Sequence, residues 1–193
     1  MNHEQIFTPL YGLRSGPGST VEHTSVYRDF LSDFIRYNNI RSVLDLGCGD
    51  MEVMSNVNLH GAEYLGVDVI AGRISDNAKR FPTLKFEHRD LMTYEIPEVD
   101  LVICKDVIQH WTNQEIRAFL VRLMTAPVKV ALITNCNYGS TVNLDISTGG
   151  WRPIDLTAPP FEIGRVVCKW GAQRFGGEKD TVLLSCSGAL HEL

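Results

Sequence analysis

The sequence predicts an α/β fold, a mostly parallel sheet with helices on both faces, from three observations. The first is the run Val43 to Asp50, VLDLGCGD, an apolar stretch that ends in a turn carrying two glycines. Such a run, bounded by Gly, reads as a strand buried on both sides in a parallel sheet. The second is the recurrence of short apolar runs, Tyr64 to Val69, Leu84 to Asp90, Asp100 to Cys104 and Val128 to Thr134. The third is that stretches of helical period alternate with these runs, as βαβ units require.

Taken in chain order, Thr20 to Tyr37 carries Val26, Phe30 and Phe34 at four-residue spacing, flanked by Tyr27, Leu31 and Ile35. That spacing predicts a helix with one wide apolar face covering the sheet ahead of the first strand. Thr112 to Glu115 fits a capping box, and Ile116, Phe119, Leu120, Leu123 and Met124 follow at helical spacing before Pro127. Gly164 to Trp170 and Thr181 to Cys186, joined by a polar segment through Gly176 and Gly177, read as a hairpin.

The glycine turn marks a nucleotide crevice, because Gly47 and Gly49 let the backbone bend sharply and leave room for a ligand against the main chain. It is not a dinucleotide fingerprint. The third glycine position of that motif is occupied by Glu52, and Asp50 puts negative charge where a pyrophosphate would lie. A ligand with a cationic end and no phosphate suits the turn better. Asp68, near the carboxyl end of the second strand, is placed to accept hydrogen bonds from ribose hydroxyls.

On Asp45 to Gly49 (DLGCG), Asp68, the pair Asp90 and Leu91 and the segment Asp100 to Trp111 (DLVICKDVIQHW), the chain resembles the class I S-adenosylmethionine-dependent methyltransferases. The resemblance implies a Rossmann-like, seven-stranded sheet, five strands parallel, with the last strand of a C-terminal hairpin inserted antiparallel. It implies that Asp45, Gly47 and Gly49 line the methionine part of the cofactor S-adenosyl-L-methionine and that Asp68 holds its ribose. Asp90 would meet the adenine amino group and Leu91 the adenine face. Asp50 and Lys105 join this cofactor-binding set.

Length and composition fit one domain over residues 1–193, since 193 residues with 44% hydrophobic side chains can bury a full core. Net charge is −5 and the 18 Lys and Arg form no run or stripe, which disfavours a nucleic-acid partner. No apolar run approaches the ~20 residues of a membrane span, and the N-terminus lacks the regions of a signal peptide. No membrane partner and a cytoplasmic location are expected. Cys48, Cys104, Cys136, Cys168 and Cys186 are odd in number and widely spaced, and read as reduced, buried residues.

Residues just after a parallel strand face the ligand in open α/β sheets. After the fourth strand come Lys105, Asp106, Gln109, His110 and Trp111. His110 is the natural base for removing an acceptor proton, with Asp106 as second candidate or as its orienting partner. Residues 135–161 are a long stretch with little helical period, expected to form an acceptor lid in which Trp151 offers a flat apolar face and Arg152 a fixed donor fork. Trp111, Trp151 and Arg152 are the expected acceptor-binding residues. Asp106, Asn143 and Asp145 could converge on an ion, but their spacing does not require one, and no metal site is expected.

The GGWRP run at Gly149 to Pro153 and the PPF run at Pro159 to Phe161, with YGLRSGPGST at Tyr11 to Thr20, resemble a small subgroup of these methyltransferases found beside, or fused to, glycosyltransferases. That likeness implies an N-terminal segment, residues 1–19, covering the cofactor, with Arg14 or Ser19 meeting the methionine carboxylate. It implies O-methylation of a sugar or glycan hydroxyl, a deoxyhexose being one candidate. Other small acceptors (a phenol, a carboxylate or an amine) and a cofactor-binding module without catalysis are the alternatives.

Overall fold

The computed structural model describes residues 2–12, 14–135, 142–164, 166–174 and 178–186. Its helices are α1 (His3–Tyr11), α2 (Ser25–Tyr37), α3 (Ala71–Arg80) and α4 (Asn113–Thr125). The strands are β1 (Ser42–Leu46), β2 (Glu63–Asp68), β3 (Lys85–His88), β4 (Val99–Cys104), β5 (Val128–Asn135), β6 (Val166–Arg174) and β7 (Glu178–Ser185). They form one seven-stranded sheet in the order β3-β2-β1-β4-β5-β7-β6. The pairs among β1 to β5 are parallel, and β7 enters antiparallel between β5 and β6, as expected.

Alternation along each strand divides the core in two, because successive side chains point to opposite faces. Leu44, Leu46, Val102, Cys104, Ala131 and Ile133 meet α4 through Ile116, Phe119, Leu120 and Leu123, and Phe7 of α1 joins them. Val43, Leu101, Ile103, Val130 and Leu132 meet Tyr27, Leu31 and Ile35 of α2 on the other face. The buried stripe of α2 is thus the row that flanked the expected centre. Val26 is 61% exposed, and Phe30 and Phe34 are only partly buried. Both rows are apolar, so periodicity leaves the rotation of the helix open within about one residue; the neighbouring sheet decides it.

The α4 capping box is realised: Thr112 Oγ1 accepts from Glu115 N and the Glu115 carboxylate accepts from Thr112 N. The elements α1 and α3 were not among those read from the sequence. A capping box between Asn2 and Gln5 opens α1, while Pro9 inside it disguises the pattern. Of the expected buried thiols, Cys48, Cys104 and Cys186 are free and buried. Cys136 and the Gly176–Gly177 turn lie outside the described residues, as does the Cys168 side chain. No helix among the described residues is long and apolar enough to cross a membrane.

Candidate active site

The carboxyl ends of β1, β2 and β4 open onto a cavity of about 380 Å³, at the point where strand order reverses between β1 and β4. Its volume is in the range of small-molecule sites, and the switch point is where such sheets bind ligands. Gly47 (φ 82°) and Gly49 (φ 60°) make the turn after β1 in backbone conformations that favour glycine. Their missing side chains matter for packing too. A Cβ on Gly47 would lie 2.3 Å from Val107 Cγ2, and one on Gly49 would lie 2.4 Å from Ser15 Oγ. The glycines therefore admit other parts of the protein, as well as lining the cavity.

Asp68 is 4% exposed and accepts from Gly49 N at 3.0 Å and Ile70 N at 2.9 Å. Each carboxylate oxygen keeps acceptor capacity beyond these bonds, which fits ribose hydroxyls. Val69, Ile70 and Leu91 give the same end of the cavity apolar walls suited to a base. Asp45 is buried, and its carboxyl is pushed up to about 7 by burial, with nearby Asp68 adding to the rise and the Tyr64 hydroxyl, donating at 2.8 Å, and Lys105 opposing it. A cationic cofactor group beside it would restore the charged form.

Other expected cofactor residues are committed within the protein. Burial alone would raise the pKa of Asp50, but hydrogen bonds from Ser15 N and Oγ, both at 2.9 Å, hold the carboxyl below its usual range. Lys105 pairs with Asp106 and lies over the Tyr27 ring at 5.7 Å. Asp106 has φ 57°, in the left-handed region that Asp tolerates better than most side chains, and accepts from Ser19 Oγ at 3.5 Å. Ser19 lines the cavity. Arg14 does not: its carbonyl accepts from Arg73, and the residue is exposed. Asp90 is also outside the lining, accepting from Met92 N and facing His3 Nδ1 at 3.2 Å.

Where the acceptor was expected, His110 and Trp151 line the cavity together with Phe7 and Tyr11 of α1. His110 Nδ1 is 2.7 Å from Gly150 O, and a carbonyl only accepts, so Nδ1 carries the proton. Nε2 then accepts from Tyr11 Oη at 3.0 Å. Trp151 is 52% exposed where it lines the cavity. Trp111, expected as an acceptor contact, is 2% exposed and packs edge-on against Phe119, so it forms the floor.

Arg152 departs most from expectation. Its guanidinium is turned away from the cavity and donates to Gln109 O, Trp111 O at 2.6 Å and Asn113 Oδ1 at 2.7 Å. It is a clamp under the loop. Asn143 and Asp145 serve the same segment: Asn143 Nδ2 donates to Asp155 O and Pro159 O, and Asp145 accepts from Asn113 N. Within the expected lid, residues 136–141 lie outside the described residues, and Ile154 and Leu156 enter the core. Among its described residues only Trp151 lines the cavity.

Sequence reasoning missed Tyr11, Phe7, His3 and Arg73. The first three recur at four-residue spacing behind the Asn2 cap, a signal present in the chain; Arg73 gave none, being one cation in a polar helix.

Residues 43–126 match the family model described as a methyltransferase domain. The chain carries a methyltransferase domain. Its cofactor is S-adenosylmethionine, and the Asp68 carboxylate, the apolar base walls and buried Asp45 fit that molecule. No curated protein matches the chain. Among solved structures it is similar to magnesium protoporphyrin IX methyltransferase from Synechocystis PCC 6803 with bound SAM, at 14% identity and TM-score 0.60, over 95% of this chain and 90% of that one. It is similar to an S-adenosylmethionine-dependent methyltransferase from Clostridium acetobutylicum ATCC 824, at 14% identity and TM-score 0.65, over 86% and 92%. It is also similar to the N-methyltransferase NodS from Bradyrhizobium japonicum WM9 with S-adenosylhomocysteine, at 10% identity and TM-score 0.64, over 82% and 85%. At these identities the likeness shows the fold, a Rossmann-like methyltransferase sheet.

Proposed function

We propose that this methyltransferase acts on a hydroxyl of a sugar or glycan, with Tyr11 and His110 taking up the proton. The observation that carries the O-methylation reading is the chain of contacts from Tyr11 Oη to His110 Nε2 (3.0 Å) and from His110 Nδ1 to Gly150 O (2.7 Å), at the cavity wall. It presents a hydroxyl to the acceptor, backed by a base whose tautomer is set by a carbonyl. The sugar reading is supported by half-exposed Trp151, which offers an apolar face to sugar C–H bonds, and by the likeness of the GGWRP loop to proteins found beside glycosyltransferases.

When bound, S-adenosylmethionine supplies an activated methyl group on sulfur. Asp68 and the apolar walls orient its adenosine end, and ionised Asp45 balances its positive charge. The acceptor hydroxyl proton passes to Tyr11 Oη while the phenolic proton moves to His110 Nε2, so the phenol is regenerated within the step. Gly150 O holds the imidazole and stabilises the charge that develops on it. Cytoplasmic residence belongs to this reading, in keeping with the three described free, buried thiols.

The test is turnover of a panel of glycosides, phenols, carboxylic acids and amines with methyl-labelled cofactor. Labelled glycoside is expected, and turnover of another class with every glycoside inert would overturn the sugar reading. His110→Gln should lower kcat by about 10² to 10⁴ while leaving S-adenosylhomocysteine affinity nearly unchanged. Near-normal turnover in that variant would remove the proton-uptake role.

A further inference from the structure

The inner face of α3 is unusual for a surface helix, because the residues it buries are polar: Arg73, 8% exposed, and Asn77, with no exposure. Burying a guanidinium is costly unless its donors are met. Here they are met in a particular way. Arg73 Nε donates to Gly12 O at 3.1 Å, Nη2 donates to Arg14 O, and Nη1 lies 3.5 Å from Asp68 Oδ2. The guanidinium carbon is 5.9 Å from the centre of the Tyr11 ring. One side chain therefore touches the acid expected to hold ribose and the backbone immediately after Tyr11, the residue that donates to His110.

We infer that Arg73 is a positioning residue for methyl transfer: by clamping Gly12 and Arg14 beneath the Tyr11 ring while paired with Asp68, it sets the Tyr11 hydroxyl against His110 Nε2. It ties the cofactor end of the cavity to the acceptor end. Its positive charge also opposes the rise that burial imposes on the Tyr11 phenol, making the proton shift toward His110 easier. Lysine cannot replace it, since one ammonium has no planar fork to span two carbonyls and a carboxylate. The inference rests on the Tyr11–His110 reading above, and the test separates the two.

The experiment is ¹⁵N NMR of histidine-labelled protein bound to S-adenosylhomocysteine, with the His110 signals assigned by their loss in His110→Gln. The parent is expected to show one tautomer, Nδ1 protonated and Nε2 accepting. Arg73→Met and Arg73→Lys should both move the Nε2 signal toward that of Tyr11→Phe, and the Tyr11→Phe/Arg73→Met double variant should show no further change. In turnover, Arg73→Met should lower kcat about tenfold or more with cofactor KM changed much less, and should add nothing in the Tyr11→Phe background. Unmoved His110 signals in well-folded Arg73→Met, or an Arg73 effect that persists in full without the phenol, would overturn the inference. If Tyr11→Phe alone keeps full turnover while Arg73→Met still moves the His110 signals, the positioning stands and the proton-uptake reading falls.

Discussion

At the scale of single residues, Asp45 is the group with the plainest consequences. Burial pushes its carboxyl up to about 7, so the folded protein prefers the neutral form. The stability this contributes is complete below the ordinary carboxylate range and is lost as pH rises through about 7. Asp45→Asn is therefore expected to gain stability on the parent by up to about 1.4 kcal/mol per pH unit between roughly pH 4 and 7, measured by urea unfolding at several pH values. A parallel course of the two curves would contradict the assignment. The cationic cofactor needs the charged form. Its affinity for the parent should climb from about pH 6 to 8, by up to about tenfold per unit on the acid side, and stay flat in the variant. Trp151 is a second residue whose role is separable: half exposed, it supports little of the fold. Trp151→Ala should raise acceptor KM while melting temperature and S-adenosylhomocysteine affinity stay near parental values.

At the scale of elements, the segment from Asn143 to Pro153 holds its place mainly by polar groups donating to backbone carbonyls. Arg152 joins three acceptors on residues 109, 111 and 113, just under His110. Removing it leaves those buried carbonyls short of donors. Arg152→Ala is expected to destabilise the protein by about 3 kcal/mol or more, with Arg152→Lys recovering only part, by thermal unfolding. A loss confined to acceptor KM would instead return Arg152 to the acceptor site. The helix α4 beside it starts at a reciprocal cap, and Thr112→Ala should cost about 1 kcal/mol with no change in kcat. On α2 the buried row is Tyr27, Leu31 and Ile35. Sequence periodicity showed that a helix was there, while the facing strands chose which of two adjacent apolar rows it buries.

At the scale of the whole molecule, the cavity is walled by the turn after β1, the ends of β2 and β4, and α1. Ligand in that cavity should therefore stabilise the fold as a unit. Saturation with S-adenosylhomocysteine at about 100 times its dissociation constant should add about 2.7 kcal/mol. For a chain of this length that corresponds to a rise in melting temperature of roughly 5–10 °C. NAD should give no rise, since Asp50 and Glu52 both line the cavity at the glycine turn.

The sequence by itself determined the parallel strands, the glycine turn after the first of them and the acid Asp68 at the carboxyl end of the second. Each of these rests on local pattern: apolar runs of strand length, and glycine where φ is positive. It also pointed to His110, because residues that follow a parallel strand face its ligand. Only the tertiary structure decided what His110 meets, since its partners Tyr11 and Gly150 are brought in by a helix near the N-terminus and by a loop far along the chain. It likewise turned Arg152 from the cavity to the backbone beneath it and buried Arg73 between Asp68 and the carbonyls of residues 12 and 14. Long polar side chains reach several ångströms in any direction, and their partners are set by which elements pack together. That packing is a property of the folded chain that no local pattern encodes.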